Sequence, residues 1–469
     1  HLHTLSDHLH ALADHLHTSV DHLGETAMYT FDLADQADDC LALPLAPSIR
    51  AQNPNPVVGI LLAIPRLTAS TQMATELTNT EWNKINTTLA ANPQKYGFPQ
   101  RVYGSALLAS FNIRKLGKKD RRSANTWKFL ANICKQFDLL SIQEIMDDLE
   151  GFDHLLDLMG PDFHAVVSDR TGVFPGERGM GERLGFIYNT RIVERGDVVS
   201  DISFDRSKLL KTVIDNYEVL RDELLPYLNF LDTHKSWQQN PVGKEPKPPK
   251  VSIPVFLTFI RQPFCSSFRI VGHPGTEPYK IMAVNAHLYF GDSVQDRQQE
   301  FDALMAWVLG RLKEKETAYY PNFVLMGDLN LDFDNPKEDR KRISQHIKDF
   351  DNEVKESNSG GNVYFPFLDA HPVHKTLFRT NARLRETFDH IGFFNQDVRI
   401  PQYRNRTSMG LQERGPDYGM FNFVELFNEA LHDKPINALS KTQQKAFYQK
   451  FEHEVSDHMP IWSRLPLPK

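Results

Sequence analysis

Short apolar runs, each bounded by charged or turn-forming residues, recur along the chain from about residue 105. The runs at 105–113 (SALLASFNI), 138–143, 163–168, 184–188, 255–260, 281–287 and 323–326 are the length of strands, not of buried helices. Apolar residues at helical spacing predict helices over 81–89, 127–137 and 301–313. Strands alternating with helices across long loops predict an α/β class with layered sheets. Two segments read as inserted between core strands. One, 207–237, is an amphipathic helix followed by the linker GKEPKPPK; the other, 402–450, is polar with a helical stretch near 421–431. Both are expected to be surface elaborations, which places insertions near 205–250 and 401–453 in a large domain over 78–469.

The first 23 residues follow a different pattern, repeating every seven as HLHTLSD, HLHALAD, HLHTSVD and HL. Leu2, Leu5, Leu9, Leu12 and Leu16 fall at coiled-coil spacing, but three repeats are too few for a helix stable alone. His1/His8 and His3/His10 suggest adventitious metal binding without a fixed ligand geometry. So regular a repeat, ahead of an unpatterned stretch, reads as a low-complexity, disordered extension over 1–77, with Met73 as a plausible true start.

Composition narrows the picture only slightly. The chain has 469 residues, 41% apolar and 24% charged, enough to bury a large core. Net charge is −7; residues 1–72 hold eight acidic and two basic residues, or −6, leaving about −1 for the rest. That excludes a strongly basic, permanent nucleic-acid binder but fits an enzyme that holds a polyanion through local patches. Cys40, Cys134 and Cys265 are widely spaced and odd in number, which argues against a disulfide framework or a cysteine zinc site. With no apolar run of bilayer length and no signal-like start, a cytoplasmic location without stable membrane association is expected. No obligate protein partner is evident.

Chemistry enters at the strand ends. Asn112 ends SALLASFN, Gln143 and Glu144 end DLLSIQE, and Asn285 and His287 end IMAVNAH. Asp328 and Asn330 lie in GDLN, Asp389 and His390 follow ETF, and Asp457 and His458 lie in SDHMPIW. Any one of these is explained as a turn former or cap; His287 alone reads as a satisfied core histidine, and Arg183 and Arg261 as surface ion-pair partners. Six sites in succession, all carboxylates, amides or imidazoles, exceed what turn chemistry explains.

FNIRKLG, LLSIQE, ERLGFIYN, VNAHL, LMGDLN, TFDHIGF and VSDHMPI occur in the order seen in the deoxyribonuclease I-like (endonuclease/exonuclease/phosphatase) superfamily. The resemblance covers about residues 105–462. The N-x-H segment at His287 and the preceding TFIRQPF resemble the deoxyribonuclease I branch more than the apurinic/apyrimidinic endonucleases. The resemblance implies a four-layered sandwich of two packed mixed sheets flanked by helices. It implies a Mg²⁺- or Mn²⁺-dependent phosphodiesterase, with Ca²⁺ as a structural ion. Glu144 is the leading metal ligand, with Asn112, Asp328, Asn330 and Asp457 completing one or two positions. By the same resemblance His458 is the general base held by Asp389, and His287 the general acid paired with Glu182. Arg261 and Asn330 are expected to stabilise the extra negative charge of the transition state, and Asp328 is counted among the catalytic residues as well as the metal ligands. A phosphodiester repels nucleophiles, so its hydrolysis needs charge neutralisation, a base and a leaving-group acid, which this set supplies.

Arg114, Lys115, Lys118, Lys119, Arg121 and Arg122 follow the first of these strands and are expected to contact phosphates, with a solvated turn as the plainer alternative. An endonuclease with a nucleic-acid substrate, DNA ahead of RNA, is therefore the leading expectation. Relatives that read the duplex minor groove carry an arginine and a tyrosine where this chain has Met146 and Met180, which weakens the case for duplex engagement. A phosphoesterase of the same fold acting on lipid headgroups or inositol phosphates is the first alternative. The inositol phosphatase segment W-C-D-R is replaced here by ETFDHIGF, and no membrane-docking loop is evident. A non-catalytic nucleic-acid-binding module is the second, disfavoured because Glu144 and His458 are both kept.

Overall fold

The computed structural model describes residues 76–469 apart from 147, 172–180, 250, 252–254, 291–293, 314–319, 332–335, 358–361, 372–373, 401–416 and 433. The heptad repeat, Met73 and Met180 lie outside the described residues.

Period-two burial builds the core. Along strand β7 (Tyr279–His287), Ile281 and Ala283 join one hydrophobic cluster while Met282 and Val284 join another. Strand β8 (Asn322–Asp328) repeats this, with Val324 and Met326 on one side and Phe323 and Leu325 on the other. A strand buried on both faces reads as a continuous apolar run, which is why these segments were legible. The outer cluster is closed by Phe301, Leu304, Met305 and Val308 of the helix Val294–Lys313 and by Ile343 and Ile347 of the helix Pro336–Ser357. The other cluster joins apolar residues of both sheets with Trp82, Trp127 and Phe427 of three helices.

The first sheet contains β1 (Ser105–Leu116), β2 (Leu139–Met146), β3 (Phe163–Val167), β4 (Glu182–Asn189), β11 (Tyr418–Met420) and β12 (Ile461–Pro466), in the order β11-β12-β1-β2-β4-β3. The second adds β5 (Val193–Asp201), β6 (Phe264–Ile270), β9 (Asn362–Tyr364) and β10 (Asp389–Asn395), in the order β5-β6-β7-β8-β10-β9. β1/β2 and β7/β8 are parallel and the other pairs antiparallel, so both sheets are mixed. β1 and β2 pack against β7 and β8, with helices outside: the expected four-layered sandwich.

Three expectations are corrected. Residues 255–260 form no strand; Phe256 and Phe259 instead pack on Phe204 at ring separations of 5.4 and 5.9 Å. The single helix over 207–237 is two, Arg206–Asp215 and Tyr217–Gln239, parted at Asn216, and both are largely exposed. The stretch from Tyr418 onward is not superficial. Its strand pairs with β12, and Phe423, Phe427 and Phe451 are buried, with Phe427 5.7 Å from Trp82 and 5.3 Å from Phe129. Among the described residues, no helix is long and apolar enough to cross a membrane.

Candidate active site

One edge of the sandwich gathers the candidate residues, by strand direction. Asn112 lies near the C-terminal end of β1 and Glu144 near that of β2; His287 and Asp328 are the last residues of β7 and β8. Glu182 and Asp389 are instead the first residues of β4 and β10, and Asp457–His458 precede β12. The expectation that all six signatures follow strands is thus corrected for Asp389 and for Asp457–His458. These belong to antiparallel strands, whose N-terminal tips meet the C-terminal tips of their neighbours. The registers state it directly: His287 is opposite Asp328, and Asp328 opposite Asp389.

Local distortion of the backbone marks these strand ends. The β1/β2 ladder shifts register between Asn112 and Leu116, and the β2/β4 ladder between Ile142 and Ile145. Within those bulges Lys115 has φ 46° and Glu144 φ 58°, and Asn330, just past β8, has φ 49°. Left-handed backbone at non-glycine residues costs about 1–3 kcal/mol each, and it collects at working sites. Beneath the edge a buried amide pair locks the sheets together. Gln143 Nε2 donates to Asn285 Oδ1 at 2.7 Å, and Asn285 Nδ2 donates to the carbonyls of Ile142 and Gly185.

Asp328 is the hub. Its Oδ2 lies 3.5 Å from Nε2 of both His287 and His458 and accepts from Asn112 Nδ2 at 3.2 Å. Asn112 Nδ2 also donates to Glu144 Oε1 at 3.1 Å, and the Lys115 amide donates to Glu144 Oε2 at 3.0 Å. Behind His458, Nδ1 sits 2.8 Å from Asp389 Oδ2. Behind His287, Nδ1 sits 3.3 Å from Glu182 Oε2, which also accepts from Arg261 Nε at 2.6 Å. Asn330 donates its amide to the Leu288 carbonyl at 2.9 Å, and its backbone N–H donates to Asp328 Oδ1. Ser456 stitches the last segment in, donating to the Asn112 carbonyl and accepting from the Arg114 and His458 amides.

These contacts set the charge states. Burial pushes the His458 imidazolium toward neutrality, but the Asp389 and Asp328 carboxylates outweigh it and hold the pKa well above the ordinary value. Burial would raise the Glu182 carboxyl, yet the His287 hydrogen bond and the Arg261 charge bring it down to about 2. Each imidazole therefore has a carboxylate behind it and Asp328 in front, an arrangement able to move protons on both sides of one point.

Not every expected residue is placed as expected. Arg261 is no surface partner, nor does it line the front of the site: it is buried behind Glu182, and its Nη1 donates to the His287 and Leu288 carbonyls at 3.4 Å. Its charge reaches the site through Glu182 and His287. Arg122 leaves the basic cluster, because it is buried, donates to the backbone carbonyls of Glu454, Lys115 and Arg114, and packs on Trp127. Lys115, Lys118, Lys119 and Arg121 are exposed, and Arg114 pairs with Asp457 at 3.3 Å.

The donor set fits a hard divalent cation. Among the described residues, Asp328, Asp389 and His458 place ligand atoms within 4.8 Å of one another, and Glu144 joins Asp328 through Asn112. Asn112 Oδ1 and Asp457 Oδ1 are buried oxygens with no hydrogen-bond partner, a costly state that a cation would relieve. This grouping differs from the expected ligand set in including Asp389 and His458.

One supporting residue had no motif to reveal it. Glu300, buried on the helix Val294–Lys313, accepts from the Ile260 amide at 2.6 Å and the Tyr289 amide at 2.5 Å. It thereby clamps the segments carrying Arg261 and His287. Its only sequence signal is an acidic residue on the apolar side of an amphipathic helix. Burial pushes its carboxyl up to about 7. The folded protein thus binds more protons than the unfolded chain between the ordinary value of 4.5 and about 7, so stability falls as pH rises through that window. Relative to Glu300→Gln, the wild type is expected to lose roughly 3 kcal/mol between pH 4.5 and pH 8. Denaturant unfolding of both proteins across that range checks this, and parallel curves would refute it.

No family model matches the chain. A curated protein named deoxyribonuclease, from Thioalkalivibrio sp. (strain K90mix), is 25% identical over 240 residues, covering 50% of this chain. The chain matches 48% of that protein's length, so it spans about half of it. Among solved structures, an endonuclease/exonuclease/phosphatase family protein from Bacteroides thetaiotaomicron is 12% identical, covering 77% of this chain and 94% of that one at a TM-score of 0.36. The human Nocturnin catalytic domain with bound sulfate is 11% identical, covering 78% and 96% at 0.38.

Proposed function

We propose that this chain, whose two packed mixed sheets flanked by helices are a deoxyribonuclease I-like fold, is a divalent-metal-dependent phosphodiesterase that cleaves nucleic acid. One observation carries the reading: Asp328 lies between two imidazoles, each backed by its own carboxylate. Residues 78–469 are the catalytic domain on this reading, and DNA is ahead of RNA as substrate.

Glu144, Asn112, Asp328 and Asp457 would hold Mg²⁺ or Mn²⁺, with Asn330 fixing Asp328 through its backbone. A cation held there would supply positive charge to neutralise the phosphate and to offset the carboxylate pull that keeps His458 protonated. His458, its Nδ1 engaged by Asp389, takes a proton from water at Nε2 as the water oxygen bonds to phosphorus. The bond from phosphorus to the departing 3′ oxygen breaks, and His287, held by Glu182, delivers a proton to that oxygen. The products are a 5′-phosphate and a 3′-hydroxyl. The curated deoxyribonuclease and the exposed cations Lys115, Lys118, Lys119 and Arg121 support a nucleic-acid substrate over a small phosphoester.

A cleavage panel tests this. With Mg²⁺ or Mn²⁺ the protein is expected to nick plasmid or degrade single strands, and to stop on addition of EDTA. Hydrolysis of sphingomyelin or inositol phosphates with no action on any DNA or RNA would remove the substrate assignment.

A further inference from the structure

Phe290, three residues past His287, is 67% exposed. Its ring meets Phe388 edge-on, with centroids 5.8 Å apart at 74°. Phe388 directly precedes Asp389, and its ring lies 6.1 Å from the His458 ring. The two phenyl rings thus extend from the tips of β7 and β10, the strands on either side of β8. Backbone bonds hold both tips to the end of β8: the Leu288 amide donates to the Asp328 carbonyl at 3.0 Å, and the Leu329 amide donates to the Phe388 carbonyl at 2.8 Å. The ledge is therefore anchored to the strand that carries the hub carboxylate.

A single exposed phenyl ring needs no explanation on an ordinary surface. This one borders the proton-transfer pair and is backed by a second ring that touches His458. The two sides of the site also differ in character. The second sheet contributes these rings, while β1 of the first sheet leads into the exposed Lys115, Lys118, Lys119 and Arg121. Cations on one side and an aromatic face on the other match a nucleotide's division into phosphate and base. In a duplex both faces of each base are already stacked, so only a single strand has a base free to lie on such a ledge.

We propose that Phe290, backed by Phe388, is a stacking platform for an unpaired nucleobase next to the scissile phosphate, making single strands the preferred substrate class. The proposal rests on the nuclease reading above. A stacked base contributes to binding, not to proton transfer. Phe290→Ala is therefore expected to raise KM for a single-stranded oligonucleotide about tenfold to a hundredfold, with kcat within about threefold. Phe290→Trp, which keeps a π-face, is expected to retain the wild-type KM.

The decisive arm uses oligonucleotides, DNA and RNA, carrying one abasic position at each site flanking the cut. At the position whose base rests on Phe290, base removal should raise the wild-type KM as much as Phe290→Ala does, and the variant should add nothing further. An unchanged KM for Phe290→Ala would overturn the platform, as would equal losses on intact and abasic strands or a loss confined to duplex. Those results arise with cleavage intact. A wild type that cleaves no nucleic acid would instead end the nuclease reading, and the platform with it.

Discussion

His458→Ala is expected to lower turnover by about four to six orders of magnitude, the loss seen when a central proton-transfer group is removed. Among the described residues, no neighbour can replace it. Asp389 is fully buried and already spends one oxygen on the ring, Asp328 is shared with His287, and Phe388 offers only a hydrocarbon face. Folding should survive, because the loop is held by Ser456 and by the Ala382 amide bonding to the Asp457 carbonyl, and neither contact uses the imidazole. Asp389→Asn should be milder, since it leaves the base in place but loses the carboxylate that fixes the tautomer. The measurement is single-turnover cleavage of a labelled strand, with circular dichroism on each variant. Turnover within tenfold of wild type for His458→Ala would remove it from the role of base.

Glu144→Ala is expected to cost about three to four orders of magnitude at fixed metal concentration. Glu144 is half-buried, held in left-handed backbone by the β2 bulge, and joined to Asp328 through a single amide nitrogen. Two carboxylates gathered around one amide repel each other, and a cation offsets that repulsion. Without metal, the variant should therefore be no less stable than wild type. The rise in melting temperature that Mg²⁺ or Mn²⁺ gives the wild type, however, should shrink or vanish. Thermal melts with EDTA and with graded metal check this independently of cleavage. An undiminished metal-dependent rise would place the cation elsewhere, whatever the activity.

The layered α/β class was readable because its central strands are buried on both faces. Ser105–Leu116, Tyr279–His287 and Asn322–Asp328 are buried at nearly every position around short apolar runs, and water is excluded from both sides of them. β5 was not readable: it lies at the edge of its sheet, only Val193 and Gly196 are buried, and its ladder shifts register between Arg195 and Val199, so no period-two pattern survives. Residues 255–260 misled for a related reason, since Phe256 and Phe259 are apolar to fill an aromatic cluster, not a ladder.

The candidate chemistry was equally visible as residue types at strand tips, because carboxylates, amides and imidazoles beside apolar runs have few structural uses. Their convergence was not visible. Asp389 and His458 are 69 residues apart and meet at 2.8 Å only because β10 and β12 run against their neighbours. Strand direction comes from pairing, and no local pattern of apolar and polar positions encodes it. For the same reason Arg122, one of six similar cations in the sequence, turned inward, while Glu300, unmarked in an ordinary helix, became a clamp. Residue types and apolar runs along the chain marked the side chains able to do chemistry and most of the strands that form the core. Which of them share a site emerged on folding, because burial and partner choice are settled by distant residues packing together.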